Sequence, residues 1–240
     1  MKHLPLLLLS LFAGISSGAY AQDTETFFTG TDSFLKAYVK EGRVAYKAIT
    51  SNPAELNELI ALAEGITVPK SDEKTYQAFW INAYNLLVIK SIVEQYPIAS
   101  PLDKAGFFDK TQHKVGGKEV TLNGIENDLL RAVFPNESRF HFVLVCAGLG
   151  CPPIIASAYT PEKLETQLQK QTELALNRPD FVKVKGKKVL LSQIFEWYNG
   201  DFTKNNTSLV EYVNRYRTEK LDAKSKVGYY PYDWTLNEIK

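Results

Sequence analysis

Two cysteines in 240 residues are too few to build a disulfide scaffold, so a hydrophobic core has to carry this fold. Excess charge is missing too: 28 Lys and Arg stand against 27 Asp and Glu. Lys2 lies in the leader described below, so the remainder is balanced and carries no electrostatic footprint for nucleic acid or an anionic membrane. The one basic cluster, "KVKGKKV" (Lys183 to Val189), alternates Lys and Val around Gly186. It reads as a hairpin whose lysines protect a sheet edge. Phosphate loops, dinucleotide fingerprints and G-x-S-x-G are absent. Beyond the leader only His113 and His141 remain, without close ligand spacing, and C-x4-C is no recognised zinc finger. Neither a metal nor another cofactor is expected. No internal repeat or low-complexity linker divides the chain.

The start of the chain is distinctive. Lys2 and His3 precede the apolar "LPLLLLSLFAGI", and "AYA" (Ala19 to Ala21) places small residues where a signal peptidase reads. A membrane-spanning helix needs about 20 apolar residues, and this run is shorter and interrupted by Ser10, Gly14, Ser16 and Ser17. Residues 1–21 are therefore expected to be a signal peptide, and residues 22–240 a single exported domain, periplasmic or secreted, that does not insert into a membrane.

Patterning predicts a helix-rich α+β domain with a small, largely antiparallel sheet and a mostly buried central helix. "TDSFLKAYVKEG" reads as a first helix capped by Thr31 or Asp32, and Pro53 sits in the first turn of a second. The central helix runs from about Ser71 to Gln95, apolar on nearly every face. Asn82 and Asn85 share a face within it, either as a core network tied to loop backbone, the favoured reading, or as a pocket floor. "HKVGGKEVTL" predicts a hairpin at Gly116-Gly117, with His113 exposed at its start. "NGIENDLLRAVF" predicts a helix with Asn123 as N-cap and Glu126 at N3. "FHFVLVC" (Phe140 to Cys146) reads as a buried strand, and Thr160 with Pro161 as the start of a further helix. The basic hairpin, two more helices and an irregular aromatic end complete the chain.

Several of these segments together resemble one family, the domain of unknown function 547, found in bacteria and plants. The residues that carry the resemblance are "FWINAYN" (Phe79 to Asn85), "YP" at 96–97, "GG" at 116–117, "TLNGIENDLLR" (Thr121 to Arg131) and "HFVLVCAGLGCPP" (His141 to Pro153). "AYT" at 158–160, "LSQIFEWYNGDF" (Leu191 to Phe202) and "YYPYDWTLN" (Tyr229 to Asn237) follow in the same order. One departure is visible: the family commonly has His after the Ile-Glu pair, and this chain has Asn127. The resemblance implies a recognisable domain without a settled activity.

The chemistry-bearing stretch is "RFHFVLVCAGLGCPP" (Arg139 to Pro153). On a regular strand His141 and Cys146 face opposite ways and lie roughly 16 Å apart, which makes Cys146 a poor partner for the histidine. Cys151 follows Gly148 and Gly150, which allow positive φ, and precedes Pro152, so it would cap a short turn "PPIIAS" and have a lowered thiol pKa. Two functional readings follow. In the first, Cys151 is a nucleophile, His141 its base and Glu126 the group that orients His141, for thiol-dependent acyl hydrolysis or transfer of the peptidase, amidase or transglutaminase kind. In the second, Cys146 and Cys151 are structural, within reach of a disulfide, and the protein is a non-catalytic envelope module binding a peptide, glycan or small molecule. A redox-active pair is a third use of the same cysteines. Tyr232, Asp233 and Trp234 either wall a groove or pack the last helix onto the core, and Arg131 either binds an anion or pairs with a carboxylate.

Overall fold

The computed structural model describes the backbone of residues 15–240 and the side chains from Gln22 onward. The expected leader, residues 1–21, lies outside the residues whose side chains are described. Helix α1 (Ile15–Tyr38) leads into a two-stranded hairpin, β1 (Val39–Lys40) with β2 (Arg43–Val44), then α2 (Tyr46–Ser51) and α3 (Ala54–Gly65). Thr31 and Asp32 are inside α1 rather than capping it; the Asp32 carboxylate instead accepts from the backbone of Ala158, 3.1 Å away. Pro53 stands immediately before α3, where its missing N–H costs nothing.

Helix α4 (Glu73–Val93) is the centre of the molecule. Asp72 caps it by accepting from Thr75, and fifteen of its twenty-one residues are buried. It packs against α1, α2 and α3, and against the segment carrying Glu126. Each large apolar side chain fully buried in this way is worth about 1.5–3 kcal/mol against leaving it in water. The hairpin of β3 (His113–Val115) and β4 (Lys118–Val120) turns through Gly116 and Gly117, with φ of 64° and 68°. Two successive left-handed residues are what a tight primed turn requires. His113, expected in solvent, is 8% exposed, and its Nε2 has no hydrogen-bond partner. The hairpin stem lies against α3, and the charges that act on the ring are Lys90 and Glu94, at the end of α4.

The helix predicted to begin at Asn123 begins earlier. Thr121 is the cap, accepting from Gly124 at 3.0 Å, so Glu126 is not an N3 capping residue. After one α turn, α5 (Leu122–Gly124), the chain widens into a π-helix over Ile125–Arg131. Such segments insert an extra residue per turn and are frequent at functional sites.

The largest departure is "FHFVLVC". It forms a 3₁₀ turn (Ser138–Phe142) followed by irregular chain, not a strand. The backbone groups a neighbouring strand would satisfy are taken by Asn85: its amide donates to the carbonyl of Val143 and its oxygen accepts from the N–H of Val145, both at 2.9 Å. Asn82 does the same for Tyr159, donating to its carbonyl at 2.7 Å and accepting from its N–H at 3.0 Å. The two asparagines therefore allow two irregular segments to lie buried against α4 with the backbone groups of Val143, Val145 and Tyr159 satisfied.

Helix α6 (Leu164–Asn177) starts three residues after Pro161, and the Thr160 hydroxyl caps nothing. Strands β5 (Val182–Lys185) and β6 (Lys188–Ser192) form the basic hairpin, and β7 (Lys226–Tyr230) adds to β6 in parallel. The sheets are otherwise antiparallel, and the lysine-bearing β5 is an edge strand as expected. Between β6 and β7 come the short helices α7 (Ile194–Trp197) and α8 (Asn199–Phe202), then α9 (Leu209–Tyr216), which Ser208 and Glu211 cap reciprocally. The result is an α+β architecture, and among the described residues no helix is long and apolar enough to cross a membrane.

Candidate functional site

The tail after β7 runs antiparallel to the cysteine loop. Leu149 N–H donates to Thr235, Gly150 N–H to Asp233, and Asn237 N–H to Ala147, at 2.7–2.8 Å. The glycines serve this approach rather than a left-handed turn. A Cβ on Gly150 would come within 2.9 Å of the Asp233 nitrogen, and one on Gly148 within 3.1 Å of the Asp233 oxygen. The left-handed residue of the loop is Ala147, φ 62°. No helical turn follows Cys151, so it is not the N-cap that the sequence suggests.

Cys146 and Cys151 form a disulfide, with Cα atoms 6.4 Å apart. The phenol of Tyr232 donates toward both sulfurs, at 2.8 Å each, and the N–H of Cys146 points at the Cys151 sulfur, 3.0 Å away. No cysteine among the described residues is free.

The disulfide lies on the wall of a cavity of about 310 Å³. Helix α4 supplies Tyr84, the α5–π segment Asn123 and Glu126, and the 3₁₀ turn His141. Pro152 and the end of α7, with Trp197 and Tyr198, close one side, and the tail brings Tyr232 and Trp234. Phe108, Leu144 and Ile194 complete the apolar lining. Cys151, His141 and Glu126 thus do share one cavity, and so does Cys146, because the irregular chain abolishes the alternation that would have turned it away from His141.

The orienting group differs from the one expected. His141 Nε2 lies 2.9 Å from Asp201 Oδ2 in α8, and Glu126 makes no such contact. Asp201 also accepts from Arg131 Nε at 2.8 Å and NH2 at 2.7 Å, so Arg131 pairs with a carboxylate rather than waiting for an anion. The hydrogen bond from His141 foremost, and those from Arg131, hold the Asp201 carboxyl down at about 2 against the opposing effect of burial. Arg131 further bonds Asn127, whose amide donates to Asn123 at 3.0 Å. Asn127, where the family commonly has His, is thus a link in a polar chain running from Asn123 on the cavity wall, through Arg131 and Asp201, back to His141. With Nε2 occupied, only Nδ1 of His141 is left for chemistry.

The His141 ring packs on Tyr198, centroids 4.1 Å apart, and the Arg131 guanidinium lies 4.7 Å from the centroid of the same ring. The Tyr198 hydroxyl bonds Glu126; burial, then that carboxylate, raise its pKa, as they do for Tyr84. Burial raises Tyr232 as well. All three phenols therefore remain neutral donors.

The other sequence candidates lie outside the cavity lining. Asn82 and Asn85 spend their amides on backbone, and Asp233 turns its carboxylate to the N–H of Thr235 at 2.9 Å. Tyr232 and Trp234 both wall the cavity and seal the tail against the cysteine loop, so groove and packing are one arrangement. Reading the sequence alone missed Tyr84, Phe108, Trp197, Tyr198 and Asp201. The usable signal was "FEWYNGDF", where Tyr198 and Asp201 stand three apart with no apolar partner to explain them.

No group of His, Cys, Asp and Glu among the described residues is arranged to hold a metal ion. No curated protein and no solved structure matches the chain. One family does: residues 68–174 match the model described as protein of unknown function, DUF547, a stretch that holds Glu126, His141 and both cysteines but ends before Trp197 and Tyr232. Over that stretch, somewhat less than half of its length, the chain is similar to the DUF547 family, whose function is unknown.

Proposed function

We propose that this protein is an exported, non-catalytic binding module whose ligand occupies the cavity between the cysteine loop and the aromatic tail. The observation that carries this reading is the cavity wall itself: Trp197, Tyr232 and Trp234 form a continuous aromatic surface beside a disulfide, and Trp197 is 48% exposed at its edge. Aromatic surface with polar tips binds ligands at low entropic cost. The disulfide suits an oxidising compartment and leaves no thiolate to attack a substrate.

A thermal-shift screen of peptides, glycans and small amines against the disulfide-intact protein tests it. A ligand at 100 times its Kd stabilises by about 2.7 kcal/mol. The shift should survive Cys151→Ser and collapse in Trp234→Ala. Turnover that appears without reductant and is lost in Cys151→Ser would overturn the reading.

One observation favours acyl transfer as a second reading: Cys151, His141 and Glu126 share the cavity, and Asp201 holds His141. It requires the disulfide to be opened first. Hydrolysis of thioester or amide probes should then begin only after reductant is added and disappear in His141→Ala.

A further inference from the structure

We propose that the cavity's ligand presents an organic cation, a primary amine or quaternary ammonium group, to Glu126 and the rings around it. This rests on the binding reading above and names the ligand class for that site. Glu126 is the one carboxylate lining the cavity, and it enters no ion pair among the described residues. The nearby cations are committed: Arg131 to Asp201 and Asn127, and Arg139 to Glu137 and Glu165. What Glu126 does receive is a neutral hydrogen bond from Tyr198, which leaves its charge uncompensated.

The rings are arranged for the same occupant. The Tyr198 ring is already engaged by His141 and Arg131, so that residue contributes its hydroxyl. Trp197, Tyr232 and Trp234 are free of such cations and lie 4.7–6.2 Å apart between centroids, forming one patch. The negative faces of such rings attract ammonium groups, and most strongly where water is excluded. A carboxylate or phosphate ligand would meet the carboxylate of Glu126, while the guanidinium groups that could offset the repulsion, Arg131 and Arg139, are already paired. At about 310 Å³ the cavity is at the lower end of ligand pockets, enough for a headgroup but not for an extended polymer.

Fluorescence of Trp197 and Trp234 in the disulfide-intact full chain reports occupancy. The probes are choline and its uncharged isostere 3,3-dimethylbutan-1-ol, which differ in charge and hardly in shape. Choline should bind at least about tenfold more tightly than the alcohol, which corresponds to about 1.4 kcal/mol. Glu126→Gln should erase that preference, and Trp234→Ala should weaken both probes. Glu126→Asp retains the charge and should keep a reduced preference, which separates lost charge from a disturbed fold. Equal binding of the two probes, or an undiminished preference in Glu126→Gln, overturns the cation assignment while leaving the binding reading standing. Failure of both probes at millimolar concentration also overturns it, and the screen of peptides and glycans then decides the binding reading separately.

Discussion

Replacing Asn85 by Leu probes the reasoning most directly. The side chain is 3% exposed and its amide group makes two hydrogen bonds of 2.9 Å, to the carbonyl of Val143 and the N–H of Val145. Leucine has nearly the same shape, so little packing is lost and no large cavity opens. What remains is two buried backbone groups without partners, at about 1–3 kcal/mol each. The segment cannot recover by pairing with a strand, because its neighbour is a helix whose own backbone is already bonded. The expected loss is about 3–5 kcal/mol, a large share of the roughly 5–15 kcal/mol by which a folded chain is stable. With a urea slope of about 3 kcal/mol/M, the midpoint should fall by about 1–1.7 M. Circular dichroism through a urea titration measures it. Asn85→Asp is the control: it still accepts from Val145 but cannot donate to Val143 when ionised, and should also be strongly destabilised. A midpoint for Asn85→Leu within about 0.2 M of the parent would refute the claim that this amide replaces a strand partner.

Three further outcomes follow from the same geometry. Asp201 has a folded carboxyl pKa of about 2, below its ordinary 3.8, so its stabilising contribution is complete above about pH 4 and lost as pH falls toward 2. Partial exposure limits this to about 1–2 kcal/mol, and in acid titrations Asp201→Asn should flatten the stability curve in that window while loosening His141. Burial foremost, and Lys90, lower the pKa of His113, so the unfolded chain takes up this proton first; stability should decline as pH drops below about 6.5, and His113→Phe should remove that decline because the Nε2 it discards has no partner. The disulfide closes a loop with a sequence separation of only five, so reducing it should cost at most about 2 kcal/mol. Its loop also keeps three backbone bonds to the tail, and differential scanning calorimetry with and without reductant should show a lower Tm but a still cooperative transition.

The sequence by itself determined the elements whose cause is local. A run of apolar residues on every face can only be a buried helix, and α4 is one; Gly-Gly between polar and apolar alternation makes a hairpin, and it does at Gly116-Gly117. The lysine hairpin and the pairing distance of Cys146 and Cys151 were equally legible, since each depends on neighbours in sequence. Only tertiary structure decided the remainder. "FHFVLVC" has the composition of a strand, but whether an apolar run becomes one depends on what satisfies its backbone, and the answer, Asn85, lies 58 residues from Val143. Nearness in sequence points from His141 to Glu126, whereas Asp201, 60 residues away, reaches the ring and Glu126 turns to Tyr198 instead. The cavity follows the same rule: its walls come from α4, Phe108, the α5–π segment, the 3₁₀ turn with the cysteine loop, α7 and the tail, and no local pattern records that these separate segments converge. Short-range sterics and patterning are written along the chain; which distant groups meet is set by packing the whole core.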